Sequence, residues 1–176
     1  RMPVLRHALA AALAISAAGA HAQTPVDVAA LAARGGLRTV NRTAAAIDSA
    51  PGGGRGVRLD ERTGAGVAWL DGVDLAEGTI ELDVRGRDLF QRSFVGVAFH
   101  AADDSTYDAV YLRPFNFRAA DPVRRQHAVQ YIALPAWDWP RLRQERPEVF
   151  ENPVEPPPAP DGWVRLRVEL RGSQVR

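Results

Sequence analysis

Short runs in which apolar and polar residues alternate one by one constrain this chain most. In the last of them Val164, Leu166, Val168 and Leu170 alternate with Arg165, Arg167, Glu169 and Arg171. Successive side chains of a strand point to opposite faces, so this run has one apolar face and one charged face. Over 94–100, Val95, Val97 and Phe99 alternate with Gly96, Ala98 and His100. Over 107–113, Val110 and Leu112 alternate with Ala109, Tyr111 and Arg113. Further strands are predicted over 57–59, 67–70, 79–85 and 128–133. Gly64, Gly72, Gly78, Gly86, Asp103-Asp104, Pro122 and Gly162 supply the turns between them. Many short strands with turns between them predict an all-β, two-sheet antiparallel sandwich or jelly roll. Neither βαβ alternation nor an internal repeat is present.

Three segments stand outside this pattern. PGGGRG at 51–56 reads as a loop. Asp138 as N-cap and Pro140 in the first turn predict a short helical excursion near 138–146. Pro153, Pro156, Pro157, Pro158 and Pro160 then make a stiff, polyproline-like connection, long enough to serve as the wall of a site. After the last strand, Gly172-Ser173 predicts a turn into a return strand that Arg176 cuts short. An unpaired edge of that kind reads as a fragment lacking roughly two to four strands of a sandwich.

The beginning reads as a leader. Arg1 and Arg6 are basic, 8–18 is apolar, and Ala20-His21-Ala22 is a small-x-small cleavage site. The apolar run is shorter than the about 20 residues a membrane-spanning helix needs. The expected division is a signal peptide at 1–22, a lead-in at 23–37 with a short helix over 26–33, and the jelly-roll domain at 38–176. Export to the periplasm or the medium follows from the leader. Without Arg1 and Arg6 the charge is 20 basic against 21 acidic residues, a net of −1. That balance argues against nucleic acid and anionic membranes as partners. All 22 basic residues are arginine and cysteine is absent, so the fold rests on its core without disulfides.

The segments GVAWL (66–70), GTIELDVRG (78–86), SFVGVAFH (93–100), YDAVYLRPFNF (107–117), HAVQYI (127–132) and WVRLRVEL (163–170) resemble the concanavalin A-like lectin/glucanase superfamily. More narrowly, they are similar to exported bacterial laminin-G-like and "domain of unknown function 1080"-type jelly rolls. RPFNF with HAVQYI carries most of the resemblance. It implies a two-sheet jelly roll whose concave face often holds carbohydrate, in relatives of which some cleave glycosides and many only bind. The laminarinase-like hydrolases of the superfamily carry a Glu-x-Asp-x-x-Glu strand. Glu81 and Asp83 match its first two acids, but Gly86 stands at the third, and this weighs against hydrolysis by that mechanism.

Two groups of residues could carry chemistry. Ile80, Leu82 and Val84 face the core, so Glu81, Asp83 and Arg85 share the opposite face. Alternate residues on one face lie roughly 6.5–7 Å apart, a spacing that suits acid and base, or acid and nucleophile, in glycoside cleavage. His100 would shuttle the proton. The alternative is a solvated strand face on which Arg85 neutralises the acids. The second group is His100, Tyr111, Arg113, Asn116, His127 and Gln130, joined by Trp137 and Trp139 of the excursion. Tyrosine and tryptophan offer rings to a sugar face, and arginine, asparagine and glutamine offer planar partners for paired hydroxyls. With strands adjacent in chain order, His100 and Arg113 would share one face with Glu81 and Asp83. The alternatives are structural: Tyr111 at a core edge, Arg113 paired to Asp83 or Asp108, Asn116 in a turn, and one tryptophan packing the loop.

Asp103, Asp104 and Asp108 beside His100 form a candidate Ca2+ site, although without EF-hand spacing, and acidic turns are common. No zinc pattern, GxSxG, P-loop or strand-linked GxGxxG occurs, so no cofactor is expected. The sequence thus predicts an exported carbohydrate-recognising domain. The alternatives are a carbohydrate-active hydrolase or lyase, and an adhesion or scaffold module without a small ligand. Sugar, linkage and oligomeric state are not encoded in any motif.

Overall fold

A computed structural model describes residues 23–176; the expected leader lies outside them. The elements in order are α1 (Val28–Ala33), β1 (Leu37–Val40), β2 (Ala44–Ala50), β3 (Gly54–Leu59), β4 (Val67–Leu70), β5 (Gly78–Arg85), β6 (Val95–Phe99), β7 (Asp108–Leu112), α2 (Pro122–Gln126), β8 (Val129–Ala133), α3 (Trp139–Glu145), β9 (Glu151–Asn152), β10 (Trp163–Arg171) and β11 (Gln174–Val175). Every strand pairing is antiparallel. The protein is all-β, with only short helices.

Two sheets build the core. One has the order β11-β10-β5 and the other β6-β7-β8-β9. Val84, Leu82, Val164 and Leu166 of the first pack with Val95, Leu112, Ala128 and Val129 on the second, together with Phe117. Ile80, Val168 and Leu170 pack likewise with Val97, Phe99, Val110 and Tyr131. Val168 and Leu170 are fully buried; burying such a side chain contributes about 1.5–3 kcal/mol. The alternation read from the sequence therefore decides which face of each strand turns inward. Two smaller sheets, β1-β4 and β2-β3, complete the fold.

The expected turn at Gly172-Ser173 is formed, with Gly172 at φ +55° and β11 returning along β10. The expected helix is also formed, and Asp138 caps it by accepting from Arg141 N at 3.0 Å. The proline-rich connection is pinned: Val154 packs into the core, and Arg118 donates to Pro157 O. Three readings need correction. The 51–56 segment is only partly a loop, because Gly54 and Gly56 pair with β2 and Arg55 lies between them in β3. Strands β1 and β2 were not predicted; Ala44–Ala50 is alanine-rich, and its pairing with β3 overrides that composition. Most consequential, β5 lies in the opposite sheet from β6 and β7, so Glu81 and Asp83 share no face with His100 and Arg113. Among the described residues, no helix is long and apolar enough to cross a membrane.

Candidate functional site

The face of the β6–β9 sheet that turns away from the core is built from one cross-strand row. Gly96 pairs with Tyr111, Tyr111 with Gln130, and Gln130 with Glu151. Arg113 follows Tyr111 by two residues and projects to the same side. Gly96 is required at its place, because a Cβ there would lie 2.1 Å from Val110 O and 2.5 Å from Tyr111 Cα.

Glu151 is the centre of this face. It is buried, and its carboxylate accepts from Arg113 Nη1 at 2.9 Å, from Arg143 Nε at 2.9 Å, and from Arg143 Nη2. His127 Nδ1 lies 3.0 Å from its other side, without the alignment of a hydrogen bond. Burial pushes the Glu151 carboxyl upward, but the two arginines and His127 outweigh it and hold the group below the usual range. For His127 burial prevails over the attraction of Glu151, and the imidazole is held below its ordinary value. The Glu151 hydrogen bonds raise Arg143 further.

The arginines are in turn oriented by neutral groups. Arg113 Nη2 donates to Gln130 Oε1 at 3.0 Å and to Tyr111 Oη at 3.2 Å, and Arg113 Nη1 donates to His127 O at 3.1 Å. Gln130 Nε2 donates to Tyr131 O and Phe150 O, which sets its amide orientation and ties β8 to the chain entering β9. Asn116 Nδ2 donates to His127 O, and Asn116 Oδ1 accepts from Arg124 Nε. Burial also raises the Tyr111 phenol, which stays protonated at neutral pH.

Aromatic rings continue the face outward. Phe94 meets Tyr111 edge to face at 5.9 Å and Phe115 at 5.6 Å, and Phe90 meets Phe115 at 5.6 Å. The Arg113 guanidinium lies over Tyr111 at 5.3 Å and over Trp139 at 5.8 Å, while that of Arg143 lies 4.8 Å from the Trp139 ring centre. Phe90, Phe94 and Trp139 are exposed at 57%, 54% and 44%, which is unusual for rings so close together.

The structure thus gathers Tyr111, Arg113, Asn116, His127, Gln130 and Trp139, and divides their work. Arg113, Asn116 and Gln130 are buried and committed to neighbours, so they form the floor. Tyr111, His127 and Trp139 reach the surface. Trp137 stays outside this network: it bridges to Ala133 and lies beneath Arg141 at 4.2 Å. The partner of Arg113 is Glu151, not Asp83 or Asp108. Glu151, Arg143, Phe90 and Phe94 join this face without a pattern in the sequence that singles them out. Glu151 sits on a two-residue strand, too short to show any period, and Arg143 lies one turn from Trp139 on a helix whose cap was readable.

The proposed catalytic group is dispersed. Asp83 pairs bidentately with Arg165 at 2.7 and 2.8 Å, and Glu81 pairs with Arg167 at 3.0 Å, on the outer face of β5 and β10. Arg85 does not neutralise them; its Nε donates to Asp161 O. His100 stands at the far end of β6, its Nδ1 3.2 Å from Asp108 Oδ2 and its Nε2 3.0 Å from Ala76 O. The acidic turn does not assemble a Ca2+ site. Asp103 accepts from Ser105 and Thr106, and Asp104 from Arg38 and Trp69. Among the described residues no group of three or more His, Asp or Glu is placed to hold a metal ion.

Chemically, a carboxylate already saturated by two guanidiniums is a poor general base, whereas a rigid floor with rings around it can hold a ligand. Comparison with family models, with curated proteins and with solved structures returned no match for this chain.

Proposed function

We propose that this chain is an exported carbohydrate-recognising domain, and that the glycan rests on the outer face of the β6–β9 sheet. The observation that carries this reading is the continuous line Phe94, Tyr111, Arg113, Trp139, in which each member touches the next and two rings stand open to solvent. Sugar rings present apolar C–H faces and hydroxyl edges; an exposed aromatic face beside fixed polar groups is complementary to both. The floor is preorganised, since Arg113 and Gln130 need not reorder to receive a ligand. The resemblance to concanavalin A-like jelly rolls supports the same reading, by analogy of fold.

Recognition is favoured over cleavage by the state of the site's only central carboxylate. Glu151 is ionised and fully engaged by Arg113 and Arg143, so it has no proton to give and little freedom to take one. A saccharide screen on the purified protein tests the proposal. Binding that weakens at least about tenfold in both Trp139→Ala and Phe94→Ala, with thermal unfolding otherwise preserved, is the expected result. Retention of full affinity in both variants would move the ligand to another face, and no binding to any saccharide would end the reading.

A further inference from the structure

We infer that the glycan is anionic, an extended saccharide bearing carboxylate or sulfate groups. This rests on the glycan-binding reading above and concerns the charge left over at the same face. Arg113 and Arg143 share the single carboxylate of Glu151. One positive charge therefore remains, and it is not deeply enclosed: the Arg143 side chain is 38% exposed, and Nε and Nη2 are its only nitrogens turned to Glu151.

The surplus continues along the aromatic line at Arg124. Arg124 lies with its guanidinium 4.4 Å over the exposed Phe90 ring, and it donates to Asn116 Oδ1 and Phe115 O. Its neighbour Arg125 donates to Ala119 O and Ala120 O, and Arg118 to Pro157 O. Carbonyls orient these three cations without neutralising them, and among the described residues none has a carboxylate in ion-pair range. Asp121, the acid nearest in sequence, caps α2 through Val123 N and makes no ion pair with them. From Trp139 and Arg143 at one end to Phe90 and Arg124 at the other, rings and unneutralised guanidiniums therefore recur along one surface. A polymer whose units each carry a flat apolar side and an anionic group fits that recurrence. A guanidinium pairs with a carboxylate or a sulfate through two parallel N–H bonds, which a neutral sugar cannot match.

On the opposite outer face Arg165 and Arg167 pair directly with Asp83, Glu81 and Glu169, so these two arginines, unlike Arg124, have carboxylate partners.

The test titrates the wild-type protein with a polyuronate, with the same polymer after reduction of its carboxyls to alcohols, with a sulfated polysaccharide, and with a single-stranded oligonucleotide. The expected result is binding of the polyuronate or the sulfated polymer at least about tenfold tighter than of the reduced polymer, and weakening as salt rises. Arg143→Gln and Arg124→Gln should each narrow that difference without abolishing binding of the reduced polymer. Equal or tighter binding of the reduced polymer overturns the inference and leaves carbohydrate recognition standing. Tighter binding of the oligonucleotide than of any saccharide overturns it in favour of nucleic acid. Failure of every polymer overturns both readings. The wild-type comparison needs no variant, so a fold defect in either substitution leaves the question decidable.

Discussion

The sandwich has two outer faces, and both carry arginine–carboxylate pairs, yet the pairs do opposite things. On β5 and β10 two acids meet an arginine directly across the strands, Asp83 with Arg165 and Glu81 with Arg167, at the protein surface. Such pairs keep a strand face soluble and contribute little stability, because water screens them and long side chains must be ordered to form them. On β7 to β9, Arg113 and Glu151 are almost completely buried, joined by glutamine, tyrosine and backbone carbonyls, and roofed by Trp139. A buried ion pair is costly to assemble and costlier to break, since removing either partner strands the other. Similar residue types therefore mark a solvated surface in one place and a rigid platform in the other; burial separates the two.

The contrast can be broken by substitution. Glu151→Gln removes the charge that Arg113 and Arg143 share, and the expected loss is about 3–5 kcal/mol, read as a lowered denaturation midpoint. A loss below ~1 kcal/mol would mean that the cluster is as loosely held as the opposite face. Gly96→Ala forces a methyl against the backbone of Val110 and Tyr111, with an expected cost of about 1–3 kcal/mol. It should also disturb the ring at position 111, detectable in the near-ultraviolet dichroism.

Acidification gives a graded test. His127 titrates below its ordinary 6.5 in the folded chain, so the unfolded chain takes up its proton first as pH falls. Stability from this group is complete above about 6.5 and declines below it. Glu151 has the same sign: its stabilisation is complete above about 4.5 and is lost as pH falls further. Thermal unfolding should therefore show a decline beginning near pH 6.5, absent in His127→Gln, and a second below about 4.5. The smallest effect is expected on the opposite face: Arg165→Gln should leave the denaturation midpoint unchanged within error, and a clear drop would show that the cross-strand ladder matters more than its exposure suggests.

Much of the architecture was legible because strand alternation is a local property. Val95, Val97, Phe99, Val164, Leu166 and Val168 each announced an inward face, and each takes it. The helix at Trp139–Glu145 was readable from Asp138 and Pro140 for the same reason. Which strands neighbour one another is not readable, because pairing depends on distant contacts; chain order alone puts Glu81 and Asp83 on a face with His100, and the sheets separate them. The gathering of Tyr111, Arg113, His127 and Gln130 was anticipated, since their strands are consecutive and pair in order. Glu151 was hidden by a two-residue strand with no period of its own, reached only through the excursion and the fold of the chain around it.

Gln130 has a consequence beyond its role as a floor. Its amide donates to Phe150 O, one residue before β9 begins, beside the backbone rung from Tyr131 N to the same oxygen, so side chain and main chain together hold the entry to this short strand. A two-residue border strand presents few open amides and carbonyls for another chain to pair with. The same molecule can therefore display three exposed aromatic rings on its surface while keeping that border of the sheet a poor template for self-association.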